Sequence, residues 1–341
     1  MRSPGLSTLL GSLLVVAVTG CGGSAPEVAS DGLVRIDMAA QAFLSNGPLY
    51  IGLEEGYFAD EGIDLHLHPS SESGSTTLPA LDRGNVAVST MTNLIAIVNA
   101  IDQGGRVRVV LGTSYAAPDR CSPSGLVARK GLFPEGKQVT PEDLRGKRID
   151  LNPLSSEGYF LDTFLARGGL SLDDIEPVSL PVGARVEAMN RGAIDMTGIS
   201  EPWVTRLVDA GHRLVLTRSE IIPGTQSGFM VFGSRLLEDD RELGRRFVAA
   251  FVRASRQFNE GPTPRNIEIL SRDTGIDVET LKRACWATMR NDGGIQTEQV
   301  LAFQRWALAK GHIERVVDID ELWDPWFTEP FRNESADAGG R

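Results

Sequence analysis

The sequence predicts an α/β protein of two similar lobes, each a mostly parallel sheet with helices on both faces, followed by a C-terminal helical extension. The first observation behind this is an internal repeat. Arg35-Ile36-Asp37-Met38 returns as Arg148-Ile149-Asp150-Leu151, and Ile63-Asp64 through Pro69 returns as Ile175-Glu176 through Pro181. A longer landmark, ALDRGNVAVS from Ala80 to Ser89, returns in the same order as AMNRGAIDMT from Ala188 to Thr197. The second observation is that strand-like and helix-like stretches alternate within each copy, and a βαβ series joins parallel strands through helices. The third is that the helix-like stretches after Asp239 have no counterpart in the repeat.

Taken in order, the chain begins with Arg2, an apolar run from Leu9 to Val18, and small residues leading to Cys21. An apolar core of about 10 residues is too short to span a bilayer and reads as a secretory signal over residues 1–20. Gly22 to Asp31 reads as a Gly/Ser/Pro tether. In the first copy a helix from Pro48 to Glu55 stops at Gly56, Tyr57 and Phe58 serve as scaffold, and Gly62 turns the chain into a strand. In the second copy a helix starts at Ser155-Ser156, presents Leu161, Phe164 and Leu165 on one face, and stops at Gly168-Gly169. Thr140-Pro141-Glu142-Asp143 and Ser171-Leu172-Asp173-Asp174 have capping-box spacing and read as helix starts. Helices from Asp239 to Asn259, Asn266 to Arg272, Val278 to Met289 and Thr297 to Lys310 are expected to return and pack on the first lobe. Trp323 and Trp326 are expected to pin the tail. The expected division is a signal over 1–20, Cys21 and tether to 31, lobe 1 over 32–118 and 232–335, lobe 2 over 119–231, and a disordered tail over 336–341.

The net charge of −11 argues against nucleic acid or anionic lipid as the main partner. Beyond Cys21 only Cys121 and Cys285 remain; they either pair in an oxidising compartment or stay as free thiols. Without CxxC spacing a structural zinc site is not expected, and neither a metal nor another cofactor is called for.

Two α/β lobes enclose a cleft, and open sheets bind ligands beyond the carboxyl ends of their strands, where loops lead into helix starts. In the first lobe those loops supply Phe43, Ser45, Asn46, Ser73, Ser75, Thr90, Thr92 and Asn93, with Tyr115 as a wall. In the second they supply Asn152, Ser155, Ser156, Ser200, Glu201 and Trp203, with Tyr159 a further wall. Hydroxyls and backbone N–H groups at helix starts hold an anionic or polar end group without an arginine. The pattern places no lysine or arginine in the cleft, so a small organic solute with one polar or anionic end is expected ahead of a bare multivalent anion. Glu201 has two readings of equal weight: a partner for a ligand amine or ring N–H, or a carboxylate that caps its own helix. Trp203 is either a stacking surface or a buried lobe residue.

The segment GPLYIGLEEGYFADEGIDLHLHP, from Gly47 to Pro69, resembles the signature of the extracytoplasmic solute-binding proteins of ABC importers, within the NMT1/THI5-like, sulfonate/taurine/nitrate-binding family. Asp143 to Lys147 (DLRGK), Ala188 to Asp195 and Glu201-Pro202 are similar to further motifs of that family. The resemblance covers most of residues 33–260. It implies the type II periplasmic-binding-protein fold, a hinged two-lobe trap that delivers its ligand to a permease and ATPase encoded as separate chains. The first lobe departs from the pattern at Asn85 to Val88, where the family keeps an acidic residue; Asp195 keeps it in the second. Residues 18–21 resemble a bacterial lipobox, which implies lipidation at Cys21 and a monomer anchored outside the cytoplasm near the membrane.

Other motifs are weaker. Gly131 to Lys137 (GLFPEGK) has phosphate-loop spacing, but Gln138 stands where that loop requires Ser or Thr. His66 and His68 share one strand face without a third ligand nearby. No GxSxG, HExxH or paired-carboxylate arrangement occurs, so a binder rather than an enzyme is expected. The rival classes are an enzyme like the fungal pyrimidine-synthesising relatives, whose cysteine-rich metal motif is missing here, and a ligand-sensing lobe. Turnover would mark the first, and a neighbouring kinase gene in place of permease and ATPase genes the second.

Overall fold

The computed structural model describes residues 32–40, 43–69 and 75–332. The expected signal segment, Cys21, the tether, Ser73 and the tail over 336–341 lie outside the described residues.

The first segment runs β1 (Val34–Ala40), α1 (Gly47–Glu54), α2 (Tyr57–Asp60), β2 (Ile63–Pro69) and α3 (Leu78–Asp82). It continues through β3 (Val88–Met91), α4 (Leu94–Asp102), β4 (Arg108–Gly112) and β5 (Ser114–Tyr115). The second comprises β6 (Ser124–Ala128), β7 (Arg148–Asp150), α5 (Ser156–Ala166), β8 (Glu176–Val178) and α6 (Val182–Asn190). It closes with β9 (Met196–Ser200), α7 (Trp203–Asp209), β10 (Arg213–Thr217) and α8 (Arg218–Ile221). The chain then returns through β11 (Phe229–Phe232), α9 (Arg241–Phe258), α10 (Pro264–Thr274) and α11 (Val278–Arg283). It ends with β12 (Thr288–Met289), α12 (Thr297–Ala309) and α13 (Ile319–Leu322).

Both large sheets follow one plan. The first has the order β2-β1-β3-β11-β4, and the second, read from its opposite edge, β8-β7-β9-β6-β10. β1 pairs in parallel with β2 and β3, and β7 with β8 and β9, so the repeated landmarks form the parallel half of each sheet. One strand in each sheet runs against the rest: β11 lies between β3 and β4, and β6 between β9 and β10. Each sheet is therefore mostly parallel, as expected, with a single reversed strand inserted in it. The cause is the path of the chain. β6 is the first strand after the chain enters the second lobe and β11 the first large-sheet strand after it returns. Each enters from the cleft side, where the parallel strands end, and so runs the other way. The return also comes earlier than the expected boundary at 232, since residues 229–231 already belong to the first sheet.

Helices cover both faces of the first sheet. On one, Phe58, Phe232, Phe247 and Phe327 form a buried chain of rings, with Phe58–Phe247 and Phe232–Phe327 centroids 5.2 Å apart. α9 supplies the third of these because its apolar residues Leu243, Phe247, Phe251 and Phe258 recur at helical spacing. On the other face Ile97 and Val98 of α4 pack with Val300 and Phe303 of α12 and with Trp323. The aromatic pair after α1 divides its work. Phe58 is buried against Phe247, whereas the Tyr57 hydroxyl donates to Gln257 on α9 at 2.5 Å. Gly56 ends α1 at φ 72°, a conformation that a side chain would strain.

Two local expectations change. The capping boxes at Thr140 and Ser171 form, but each opens a single 3-10 turn, Pro141–Leu144 and Leu172–Asp174, rather than a helix. The expected helix from Val278 to Met289 ends at Arg283, because Cys285 is drawn into a disulfide and Thr288 and Met289 pair with β5.

The extension packs α9 and α10 against α1, as expected, yet it also reaches the second lobe. Asp162 on α5 accepts from the indole of Trp306 on α12 at 2.8 Å and pairs with Lys310, the residue that caps the end of α12, at 3.0 Å. Arg283 on α11 holds Asp209 on α7 through two contacts of 2.6 and 2.7 Å. Trp323 and Trp326 do pin the tail: the Trp323 indole donates to the Val110 carbonyl, and Arg241 and Arg245 lie over the Trp326 ring.

Phe247→Ala removes the ring shared by two aromatic contacts in a filled core and is expected to cost about 3–5 kcal/mol, read as a fall in urea midpoint.

Candidate functional site

A cleft of about 450 Å³ opens between the two large sheets and is walled by both lobes and by the extension. The first lobe contributes Phe43 and Ser45 from the loop after β1, and Thr92 and Asn93 at the start of α4. Asn93 caps that helix, its carboxamide oxygen accepting from the Ala96 N–H at 3.1 Å. The second lobe contributes Asn152 and Ser155 before α5, Ser200 at the end of β9 and Glu201 before α7. Cys285 and Ala287 of the extension complete the wall.

The cleft also holds two arginines, which overturns the expectation that none is placed there. Arg185 stands one turn into α6. Helical side chains lean toward the N-terminus, so its guanidinium reaches back to the cleft, donating to the carbonyls of Leu180 and Gly198 at 3.1 Å each. Beneath it lies Asp150, fully buried, 2.9 Å from the Arg185 Nε. Burial pushes the Asp150 carboxyl up; Arg185, the Thr197 hydroxyl and the Leu180 N–H pull against that without reversing it.

Arg218, at the start of α8, donates to Glu157 Oε1 at 3.1 Å. The Ser155 hydroxyl donates to the other Glu157 oxygen at 2.6 Å. Burial alone would raise the Glu157 carboxyl, but the Arg218 cation and the Ser155 hydroxyl outweigh it and hold Glu157 below its ordinary 4.5. Arg218 also separates the cleft from a small chamber of about 20 Å³ bordered by Tyr159, Gln226 and Phe303, and its buried Nε has no protein partner.

Glu201 takes the capping reading. Its carboxylate accepts from the Thr205 N–H at 3.0 Å, the Thr205 hydroxyl at 2.9 Å and the Cys285 N–H at 3.0 Å. Burial raises its pKa in spite of those bonds.

Of the expected site residues, Phe43, Ser45, Thr92, Asn93, Asn152, Ser155, Ser200 and Glu201 border the cleft. Others do not. Asn46 is buried in the turn that leads into α1. Thr90 lies within β3, its hydroxyl enclosed by the lobe, and Tyr115 is occupied in β5 by pairing with Thr288. Ser156 faces the small chamber, as does Tyr159. Trp203 turns into the second lobe, where Arg206 covers its ring at 4.9 Å, because α7 has begun and points it away from Glu201. Ser75 heads the 3-10 turn Ser75–Thr77. Sequence reasoning missed Ser114, Ser124, Glu157, Arg185 and Arg218. For Arg185 a signal existed: an arginine in the first full turn of a helix that starts at the cleft.

The remaining motifs are structural. His66 meets Asp64 at 2.7 Å and His68 meets Asp37 at 2.6 Å, and among the described residues no group of three or more His, Cys, Asp or Glu is set to hold a metal. Lys137 of the phosphate-loop-like segment is paired with Asp143 at 2.9 Å. Among the described residues no helix is long and apolar enough to cross a membrane.

Comparison with known proteins gives four findings. The family model described as NMT1/THI5 like matches residues 45–263. The taurine-binding periplasmic protein of Escherichia coli K12 is 27% identical over 251 residues, covering 71% of this chain and 74% of that protein. The alkanesulfonate-binding protein SsuA of Xanthomonas axonopodis pv. citri, solved with MOPS bound, superposes with a TM-score of 0.68 at 19% identity over 88% of this chain and 99% of its own. The nitrate-binding protein NrtA of Synechocystis PCC 6803 does so with a TM-score of 0.70 at 15% identity over 92% and 90%. The fold is thus the two-lobe periplasmic-binding-protein fold.

Because the folded pKa of Glu157 is depressed, the unfolded chain takes up the proton first as pH falls. The stability this group contributes is present above its ordinary 4.5 and is lost as pH drops through the folded value. Glu157→Gln is expected to shrink the loss of stability between about pH 6 and about pH 3, measured by urea unfolding at both.

Proposed function

Since this chain belongs to the NMT1/THI5-like family, we propose that it captures a small organic anion, of sulfonate or carboxylate type, between its lobes and delivers it to a membrane permease. The observation that carries the reading is the pairing of Arg185 and Arg218 with hydroxyl-bearing helix starts around one cleft. A volume of about 450 Å³ suits a small solute rather than a polymer. Each arginine already has a carboxylate partner, Asp150 or Glu157, so the cleft takes a ligand with a single anionic group more readily than a bare multivalent anion. The α6 start has no capping side chain, since Pro181 precedes it, and its first N–H groups add a positive pole beside Arg185. A pyrimidine remains the second ligand type, favoured by the amide and hydroxyl groups of Asn93, Asn152 and Ser200 in the same wall.

In this reading, solute enters the open cleft and shifts the lobes toward the form in which both sets of contacts exist. The protein works as a monomer held outside the cytoplasm by lipid on Cys21, with the permease and ATPase as other chains. The periplasmic relative that binds taurine supports the compartment and the solute type. Relatives that bind rather than convert their ligands favour a binder over a pyrimidine-synthase-like enzyme or a sensing lobe.

Thermal melting of residues 22–341 with taurine, alkanesulfonates, aromatic carboxylates, pyrimidines and nitrate tests the ligand class. A ligand at about 100 times its Kd adds about 2.7 kcal/mol and raises Tm visibly; no shift from any anion in the set rejects the reading. Thr92→Ala with Ser200→Ala is expected to weaken the best ligand by about 1 kcal/mol for each lost hydrogen bond while Tm of the free protein holds, as read by calorimetry. Labelling with palmitate is expected to vanish in Cys21→Ser, and persistent label excludes the anchor.

A further inference from the structure

Cys121 and Cys285 form a disulfide that joins segments far apart in sequence, and the bond stands at the cleft wall rather than in a core. Cys121 ends an exposed run, Pro118-Asp119-Arg120-Cys121, on the segment that crosses from the first lobe to the second. Cys285 lines the cleft, and its N–H donates to Glu201. Glu201 in turn fixes the start of α7 through the Thr205 N–H and hydroxyl, while Arg283, two residues before Cys285, grips Asp209 at the other end of that helix. One covalent bond therefore ties the crossing segment to the piece of extension that clasps both ends of α7.

We propose that Cys121–Cys285 is a thiol–disulfide exchange site: its oxidised form holds the Glu201 wall of the cleft in place, and its reduction by a dithiol releases that wall. Exposed disulfides are the ones that a thiolate reaches. A thiolate of the dithiol attacks the Cys121 Sγ, the S–S bond breaks, and Cys285 leaves as a thiolate that takes a proton from water. The second thiol of the reductant then attacks the reductant's own sulfur in the mixed disulfide, which closes the reductant's disulfide and expels Cys121 as a thiolate that is protonated. Two electrons and two protons pass to the protein, and the reductant departs as its own disulfide. Residues 284–287 are then held to the second lobe by the hydrogen bond to the buried Glu201 and by the exposed Arg283–Asp209 pair, the second of which water competes for. The wall loosens, and Cys285 and Ala287 withdraw from the ligand.

The consequence for binding rests on the function proposed above; the loosening does not. The oxidised full chain is treated with graded dithiothreitol, alkylated and mapped by mass spectrometry while circular dichroism reports folding. Labelling of Cys121 and Cys285 in still-folded protein is expected, and labelling only after unfolding overturns the proposal. Amide exchange at Thr205 and Cys285 is expected to be at least tenfold faster after reduction, and the amide of Thr205 likewise in Cys121→Ser with Cys285→Ser. Unchanged rates overturn it, and if the double variant does not fold, the reduced natural chain gives the same readout. With taurine as probe, Kd is expected to rise at least fivefold on reduction, and equal Kd values refute the coupling to binding. Should neither taurine nor ethanesulfonate bind the oxidised chain, the proposed sulfonate function fails, and the exchange rates alone decide the switch.

Discussion

The two segments that cross between the lobes are hydrogen-bonded to each other, and the rest of the molecule is arranged around that ladder. Ala116 N–H donates to the Thr225 carbonyl at 2.9 Å, Gly224 N–H to the Ala116 carbonyl at 2.8 Å, and Ser227 N–H to the Ser114 carbonyl at 2.8 Å. The Gln226 carboxamide adds bonds to the carbonyls of Ser114 and Gly228. Each crossing then supplies the antiparallel strand of the lobe it enters, so neither sheet is complete without the connection. The lobes are thereby joined through a short backbone ribbon, which the contacts of α11 and α12 with the second lobe supplement. The cleft opens beside this ribbon because both sets of parallel strands end there.

Charge in the cleft is balanced before any ligand arrives. Asp150 sits under Arg185, Glu157 beside Arg218, and Glu201 is spent on Thr205 and Cys285. A buried arginine left alone would cost several kcal/mol, so the carboxylates are what make it possible to keep two guanidinium groups at a wall of hydroxyls. The same balance makes recognition a matter of exchange. Under the proposed function, an incoming anion would gain most by sharing an arginine with its resident carboxylate, or by using the hydrogen-bond donors that the ion pairs leave over. Geometry of the donors, rather than net charge, would then sort one anion from another.

Much of this plan was legible in the sequence because its signals are local or repeated. The β1, β2 and β3 landmarks recur in β7, β8 and β9 because equivalent strands in equivalent sheets need the same pattern of buried residues. Caps such as Asn93 and Ser155 announced the helix starts that line the cleft. The antiparallel strands β6 and β11 escaped notice since each depends on a crossing of the whole chain, and pairings set at that distance leave no local mark. The arginines escaped for a related reason. Arg218 belongs to a one-turn helix, and its neighbour Glu157 is distant in sequence; only the closed packing of α5 on α8 brings them together. Of the two readings of Trp203 the buried one holds, because α7 has already turned the ring into the lobe although its neighbour Glu201 borders the cleft.

The place of β11 in the first sheet has a consequence for how the chain is made. Every strand of the second sheet, β6 to β10, lies in one continuous stretch, whereas β3 and β4 must wait for β11 before they are joined. On a chain emerging from its N-terminus, the second lobe has all its strands while the first still presents two open edges, the kind of surface that recruits other strands. α9, which seals the phenylalanine core, follows later still. The lobe that starts the sequence is the one that finishes last.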